Sequence, residues 1–373
     1  MSIQNNRLLV LASALALSPA GHAATFCATS TAELQNALDT AAVNGENDVV
    51  RVAVGTYPAP VGGPFDFDEL APVNGDGLSL TLSGGWTAFF GNPCGFRSEA
   101  YNSFDTILDG EDRERVLRII PDGAPDIVIE GITFFRGNPS EGGTRRGGGL
   151  EIRSANFTGK LRVERSAFLF NTADYGSALE AGGSLIRLRN NLFVGNDTVN
   201  SGVIEAVIGD GDSGIYLTAN TIINNATQSS ATSAQGGVYI FLWTDTNALL
   251  VNNVIKGNDV TDLKLSGEGN VTLRNNLIDA RVGSITTETG QITGDPMFVG
   301  GLLNFTDFTP DVGSPLIDTG IKPPTLIPFP PPFDSNWGLP DYDLLGRPRT
   351  QGVTVDVGAY EALPVDVFSD GFE

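Results

Sequence analysis

Two short apolar patterns return along the middle of this chain at unequal intervals, and that combination restricts the fold more than any other feature. With the chain aligned on Gly131, Ser166, Asn191, Asn220, Asn253 and Asn276, the residue three places earlier is Val128, Val163, Leu188, Leu217, Leu250 or Leu273, a branched aliphatic each time. Two places after the anchor stand Thr133, Phe168, Phe193, Ile222, Ile255 and Ile278, five of the six bulky and apolar. Before the anchor the chain alternates, as in Ile186, Arg187, Leu188, Arg189, and a period of two marks a strand with one face turned inward. A second column repeats beside the first: Leu150, Leu179, Ile204 and Val238 inward, with Glu151, Glu180, Glu205 and Tyr239 outward.

The anchors lie 23 to 35 residues apart, so loops vary in length while a short strand is kept. Several short strands per repeat and no internal helix exclude leucine-rich and helical repeats and fit a coil that pairs with the next along an axis. The expected fold is all-β, a right-handed parallel β-helix of about nine coils, which at ~4.8 Å per coil is a rod of roughly 40 Å. Weaker early coils are read from Asp48, Ser79 and Thr106. An antiparallel sandwich is the alternative, but it does not explain why both columns recur once per coil. Asn191, Asn220, Asn253 and Asn276 then form a ladder, amide to amide, at a bend where asparagine tolerates left-handed backbone. One helix is expected: Ser30 and Glu33 make a capping box, Leu34, Ala37, Leu38 and Ala41 share a face, and Asn44-Gly45 ends it. It suits an N-terminal cap on the open end of the stack.

Residues 1–23 read as a signal peptide, with Arg7, an apolar run from Leu8 to Leu17, Pro19, and a small-residue exit at Gly21-His22-Ala23. The run is too short to span a bilayer, so the expected product is a soluble, secreted or surface-displayed bacterial protein with no transmembrane segment. Its formal charge of -22 disfavours nucleic acid and anionic membrane as partners. His22 is the sole histidine, and its place in the leader removes histidine triads and histidine zinc sites. Cys27 and Cys94, the only cysteines, are read as a disulfide formed in an oxidising compartment, with free thiols as the alternative. A monomer is expected.

The pattern is similar to the secreted β-helix proteins of the pectin lyase-like superfamily, in the opening AELQNALDTAAVNGENDVVRVAVGTY and in LSGGWTAFF followed by TILDG. The stretch from about 294 to 361, with GDPMFVG, GSPLIDTG, DYDLLGRPR and DVGAYE in order, resembles the choice-of-anchor Q domain of bacterial surface and secreted proteins. The resemblance covers about residues 25–361 and implies one β-helix domain over 24–361. It implies no shared activity, because that family is named for its varied sorting tails. Residues 362–373 form a short tail whose FSDGFE ending resembles those of assorted secreted bacterial proteins. KPPTLIPFPPPF from Lys322 to Phe333 departs from the pattern and reads as an extended proline-rich loop.

Several residues are candidates for chemistry. Glu151, Glu180 and Glu205 stack about 5 Å apart on one outward column, a spacing that suits paired-carboxylate acid chemistry, a divalent cation, or simply exposed charges that keep the rod soluble. Arg162 and Arg187 form a cationic ladder on the next face and, with Tyr239, are substrate-binding candidates. Asp210 and Asp212 in GDGDSG resemble part of a calcium loop but lack the third acid and distal glutamate of an EF-hand. DGEDRER from Asp109 either binds calcium or is a solvated connection. No cofactor is required by any of these, with Ca2+ as the single cofactor option. The expected function is non-enzymatic binding of extracellular glycans or neighbouring surfaces. The alternative is a polysaccharide lyase or glycoside hydrolase acting on an acidic polysaccharide, although the aligned coils show neither the central aspartate-and-base cluster of a pectate lyase nor the aspartate trio of a polygalacturonase.

Overall fold

The computed structural model describes residues 23–70, 77–140, 143–209, 213–228, 235–300, 307–323 and 338–363. Its strands are short, and nearly all pair in parallel with the equivalent strand of the next coil. The described chain is a parallel β-helix of three long sheets and a short fourth one made of Thr172–Ala173, Asp197–Thr198 and Ala226–Thr227. The first carries ten parallel strands, from Ala24–Ala28 to Thr287–Thr289. The second runs from Gly55–Pro58 to Leu277–Ile278 and the third from Phe65–Asp68 to Arg281–Val282, each with eight strands. Inside the coil the apolar columns form one continuous core. Phe134, Phe168 and Phe193 stack within it, with ring centroids 4.7 and 4.6 Å apart and planes within 10°. Burial of such rings is worth roughly 1.5–3 kcal/mol each.

One alignment needs correcting. Val163 pairs with Ile129 and Phe168 with Phe134, so the inward pair of that coil is Ile127 and Ile129, and Val128 points away. The anchor shifts from Gly131 to Ile132, and the odd threonine of the column, Thr133, gives way to Phe134. Gly131 attracted the alignment because it is a turn residue, with φ 67°.

The ladder also differs from expectation in which residue turns the chain. Left-handed backbone belongs to the residue before each ladder asparagine: Asn190, Ala219, Asn252 and Asn275, with Arg165 before Ser166. The asparagines themselves serve as hydrogen-bond relays. Nδ2 of Asn191 reaches Asn220, that of Asn220 reaches Asn253, and that of Asn253 reaches Asn276, at 3.0, 3.0 and 2.9 Å, and all four are buried. A second ladder of the same design was not foreseen. Asn171, Asn196, Asn225 and Asn258 lie five residues beyond Ser166, Asn191, Asn220 and Asn253, link at 2.8–2.9 Å, and end on Asp262.

The helix spans Thr31–Ala41 and buries Leu34, Ala37, Leu38 and Ala41. Ser30 accepts from the Glu33 N–H, and the Glu33 carboxylate reaches back to the Ser30 N–H and takes the N–H and hydroxyl of Thr29 as well. Gln35 bonds both the N–H and C=O of Asp66 on the outermost strand of the third sheet, satisfying an edge that would otherwise be open. Cys27 and Cys94 are joined in a disulfide.

The described residues of the C-terminal segment, 294–300, 307–323 and 338–363, do not extend the stack. They lie along the outside of the second sheet, where Phe298, Phe308, Leu316, Leu344, Val357 and Tyr360 close a second core over Leu192, Val194, Ile223, Val254 and Leu277. The segment reaches back as far as Ser103, whose N–H and hydroxyl both donate to Leu344 O. Arg165 bolts it down, donating to the carbonyls of Glu99, Tyr101 and Asp343.

Candidate functional site

The third sheet presents one outward column in register: Asp66, Arg118, Glu151, Glu180, Glu205, Tyr239 and Lys264. The three glutamates therefore do stack on successive coils. They are not free solvent-facing charges, however. Glu180 is 2% exposed and Glu205 8%, because arginines from the neighbouring turns fold over them. Arg115 lies 3.1 Å from Glu151. Arg146 reaches Glu180 at 2.6 Å and approaches Glu205 at 3.9 Å, its guanidinium resting 4.6 Å from the Tyr175 ring. Arg153 meets the same Glu180 oxygen at 2.9 Å. These cations screen three stacked anions that would otherwise repel.

Beside Glu180 and Glu205 opens a cleft of about 420 Å³. Ala181, Gly182 and Gly183 form its floor, with Arg153, Ser154, Phe157 and Thr158 on one wall and Ser184, Val207, Gly209 and Ser213 among the rest. Packing accounts for one of the two glycines. A Cβ on Gly183 would press on the Phe157 ring at 3.1 Å, and Gly182 leaves its stretch of floor without a side chain. Glu180 Oε2 and Glu205 Oε2 are buried and have no hydrogen-bond partner among the described residues. Burial pushes the carboxyl of Glu180 above its ordinary pKa, with Arg146 offsetting part of the rise. Burial raises Glu205 as well, against the Ser201 hydroxyl and Arg146.

Arg162 and Arg187 are register partners on the first sheet, followed by Tyr216, and border a smaller pocket of about 220 Å³ with Lys160 and Asp126. The arginines that meet the glutamate column are instead Arg146 and Arg153, which sequence reading did not single out. Arg146 stands a coil away from Glu180 in sequence, and only the coil spacing brings them together. Tyr239 sits next to Glu205 in the column, with Lys264 Nζ 5.5 Å from its ring. Asp210 and Asp212 fall outside the described residues, as do 1–22, 324–337 and 364–373. In the acidic loop, Asp109 pairs with Arg136, Glu111 and Glu114 with Arg113, and Asp112 lies 3.8 Å from Arg136. Among the described residues no group of three or more histidine, cysteine or acidic side chains is arranged to hold a metal ion.

A second carboxyl pair was also missed. Glu130 and Glu164 are register partners, each the last residue of its strand, in the middle of the first sheet. Arg97 holds Glu130, while Arg189 holds Glu164. Burial lifts the Glu130 pKa; at Glu164 burial is outweighed by Arg189, and its pKa falls. Their arginines are committed elsewhere too, Arg97 to Gly84 O and Arg189 to Gly338 O, so this group fastens the segment near residue 340 to the coil.

No helix among the described residues is long and apolar enough to cross a membrane. No protein-family model matches the chain, and searches of curated proteins and of solved structures find no match either.

Proposed function

We propose that this is a secreted or surface-displayed β-helix protein that binds glycans without turning them over, and that a sugar sits over Gly182 and Gly183. The observation that carries this reading is the pair of buried carboxylate oxygens, Glu180 Oε2 and Glu205 Oε2, beside a cleft and lacking donors among the described residues. A buried acceptor left unpaired costs about 1–3 kcal/mol, and sugar hydroxyls are donors of the right kind once the half-exposed Arg153 swings aside to open these oxygens to the cleft. The floor without side chains lets a pyranose ring approach the backbone, and Arg153, about half exposed, can bond a ring or carboxylate oxygen. The resemblance to pectin lyase-like and choice-of-anchor Q proteins belongs to the same proposal, as do a monomeric state and the use of no obligatory cofactor. The test is to incubate purified protein with neutral and acidic polysaccharides, with and without calcium, measuring binding by calorimetry and new unsaturated or reducing ends by absorbance. Binding without new ends, weakened by Glu205→Ala, supports the proposal.

The upward pKa shifts of Glu180 and Glu205 favour a second reading, a lyase or hydrolase in which one carboxyl keeps a proton for a leaving oxygen. Turnover of an acidic polysaccharide that is abolished by Glu180→Gln would replace the binding proposal with this one.

A further inference from the structure

At the start of the rod one element departs from the parallel scheme. Strands Leu80–Phe89 and Asn92–Phe96 form a hairpin, the one antiparallel strand pair among the described strands. Its turn is tight, with Phe90 and Gly91 both at positive φ, 47° and 81°, the geometry that suits a two-residue hairpin. Phe90 is 94% exposed, and Phe89 and Phe96 are each 52% exposed. The rings touch, with Phe89 4.3 Å from Phe90 and 6.2 Å from Phe96. The Cys27–Cys94 disulfide ties the second strand of the hairpin to the strand Ala24–Ala28. Residues 77–96 carry no charge, in a chain whose formal charge is -22. At the base of the hairpin, Trp86 lies between the guanidinium groups of Arg51 and Arg97, 4.1 and 5.4 Å from its ring.

We propose that this hairpin tip inserts its three phenylalanines into the interface of a lipid bilayer with zwitterionic headgroups. The three rings expose ~400 Å² in all, taking about 200 Å² for a whole ring. That is around half of the ~800 Å² per partner of a stable protein interface, and the tip is convex. The rings are inclined to one another by 66° and 43°, so they offer no flat platform for a sugar. A bilayer interface needs only a few apolar side chains reaching ~5–10 Å below the headgroups. A tryptophan flanked by arginines at the base matches the amphipathic anchors found at headgroup level. Zwitterionic lipid is the matching surface because a strongly anionic one would repel the acidic rod.

The full chain is sedimented with phosphatidylcholine vesicles and with vesicles containing phosphatidylglycerol. Binding is expected to phosphatidylcholine and to weaken as phosphatidylglycerol is added. Phe90→Ser should lower partitioning about tenfold, and Phe90→Ser with Phe96→Ser should remove it. Val61→Ser, at an equally exposed apolar site away from the hairpin, should bind as the parent does. Thermal melts of each variant establish that the fold is kept, and Phe90→Ser removes an exposed ring, so its melt should match. Absence of binding by the parent chain, or binding unchanged in the double variant, overturns the proposal. So does concentration-dependent dimerisation in sedimentation velocity that Phe90→Ser abolishes, which would assign the tip to a second copy of the chain. None of these outcomes depends on the glycan cleft.

Discussion

Asn191 gives Asn220 two hydrogen bonds at once: its Nδ2 and its backbone N–H both donate to Asn220 Oδ1, each at 3.0 Å. Asn220 in turn donates to Leu188 O and to Asn253 Oδ1, at 2.8 and 3.0 Å. A single side chain thereby satisfies backbone groups at a bend where strand pairing is interrupted. Asn220→Ala strips these partners at a site of no solvent access. The expected loss is about 2–4 kcal/mol, on the scale of about 1–3 kcal/mol for each unmatched buried group, read as a lower urea midpoint.

Removing Arg146 should be costly for a different reason. Arg146→Ala takes from Glu180 its 2.6 Å partner and from Glu205 its nearest guanidinium. Breaking a buried pair from one side typically costs about 3–5 kcal/mol; Arg153 still reaches Glu180, so the lower end is expected. The same variant should raise the Glu180 pKa further, seen by carboxyl-labelled NMR titration.

Stability of the outer segment should fall as pH rises. Glu361, buried beside Arg349 and Asp356, has its pKa raised from 4.5 to about 7, by burial first and against Arg349. A carboxyl raised on folding stabilises while it is protonated. The contribution is full below pH 4.5 and is lost as pH climbs through about 7. Asp343 and Asp356 are shifted upward by burial too and act in the same sense. The melting temperature should therefore drop between pH 5.5 and pH 8, and Glu361→Gln should shrink that drop.

Loss of the disulfide should loosen the beginning of the rod. It closes a loop of 67 residues in sequence separation, for which chain entropy gives roughly 4 kcal/mol. Cys27→Ser with Cys94→Ser is expected to fall 2–4 kcal/mol short of the parent in urea, on the same scale. Amide exchange should accelerate first in Ala24–Ala28 and in the hairpin.

Uncovering the second sheet should produce an associating protein. Truncation after residue 293 exposes Leu192, Val194, Ile223, Val254 and Leu277 together, a patch of the kind that monomers rarely leave open. Dye binding to exposed apolar surface and aggregation in light scattering are the expected readouts, and Leu192→Asp in the full chain should show a milder form of both.

The inward columns were legible because a half-buried strand repeats every second residue, and two such columns in step leave little choice of fold. The slip at Gly131 shows the limit of that signal: a glycine at a turn looks like the anchor, while the true position holds Ile132. The second asparagine ladder was readable, at five residues past the first, but only if the bend were treated as a repeating unit. What sequence could not yield was contact between a strand and the turns of neighbouring coils. Glu180 looked solvent-facing because Arg146 and Arg153 sit 34 and 27 residues away. Burial of the second sheet on its outer side left a trace in the unbroken apolar runs Leu192–Val194 and Leu277–Ile278, which a strand exposed on one face would not need.

A stack in which each coil touches only its neighbours can come apart one coil at a time from either end. The Ser103–Leu344 bond, spanning 241 residues of sequence, changes that behaviour. With the described part of that outer segment acting as a splint from the last coils to the second, fraying at one end must also peel the outer layer. The rod is thereby expected to unfold in a single cooperative step, as a braced column fails whole where a loose pile sheds its top piece.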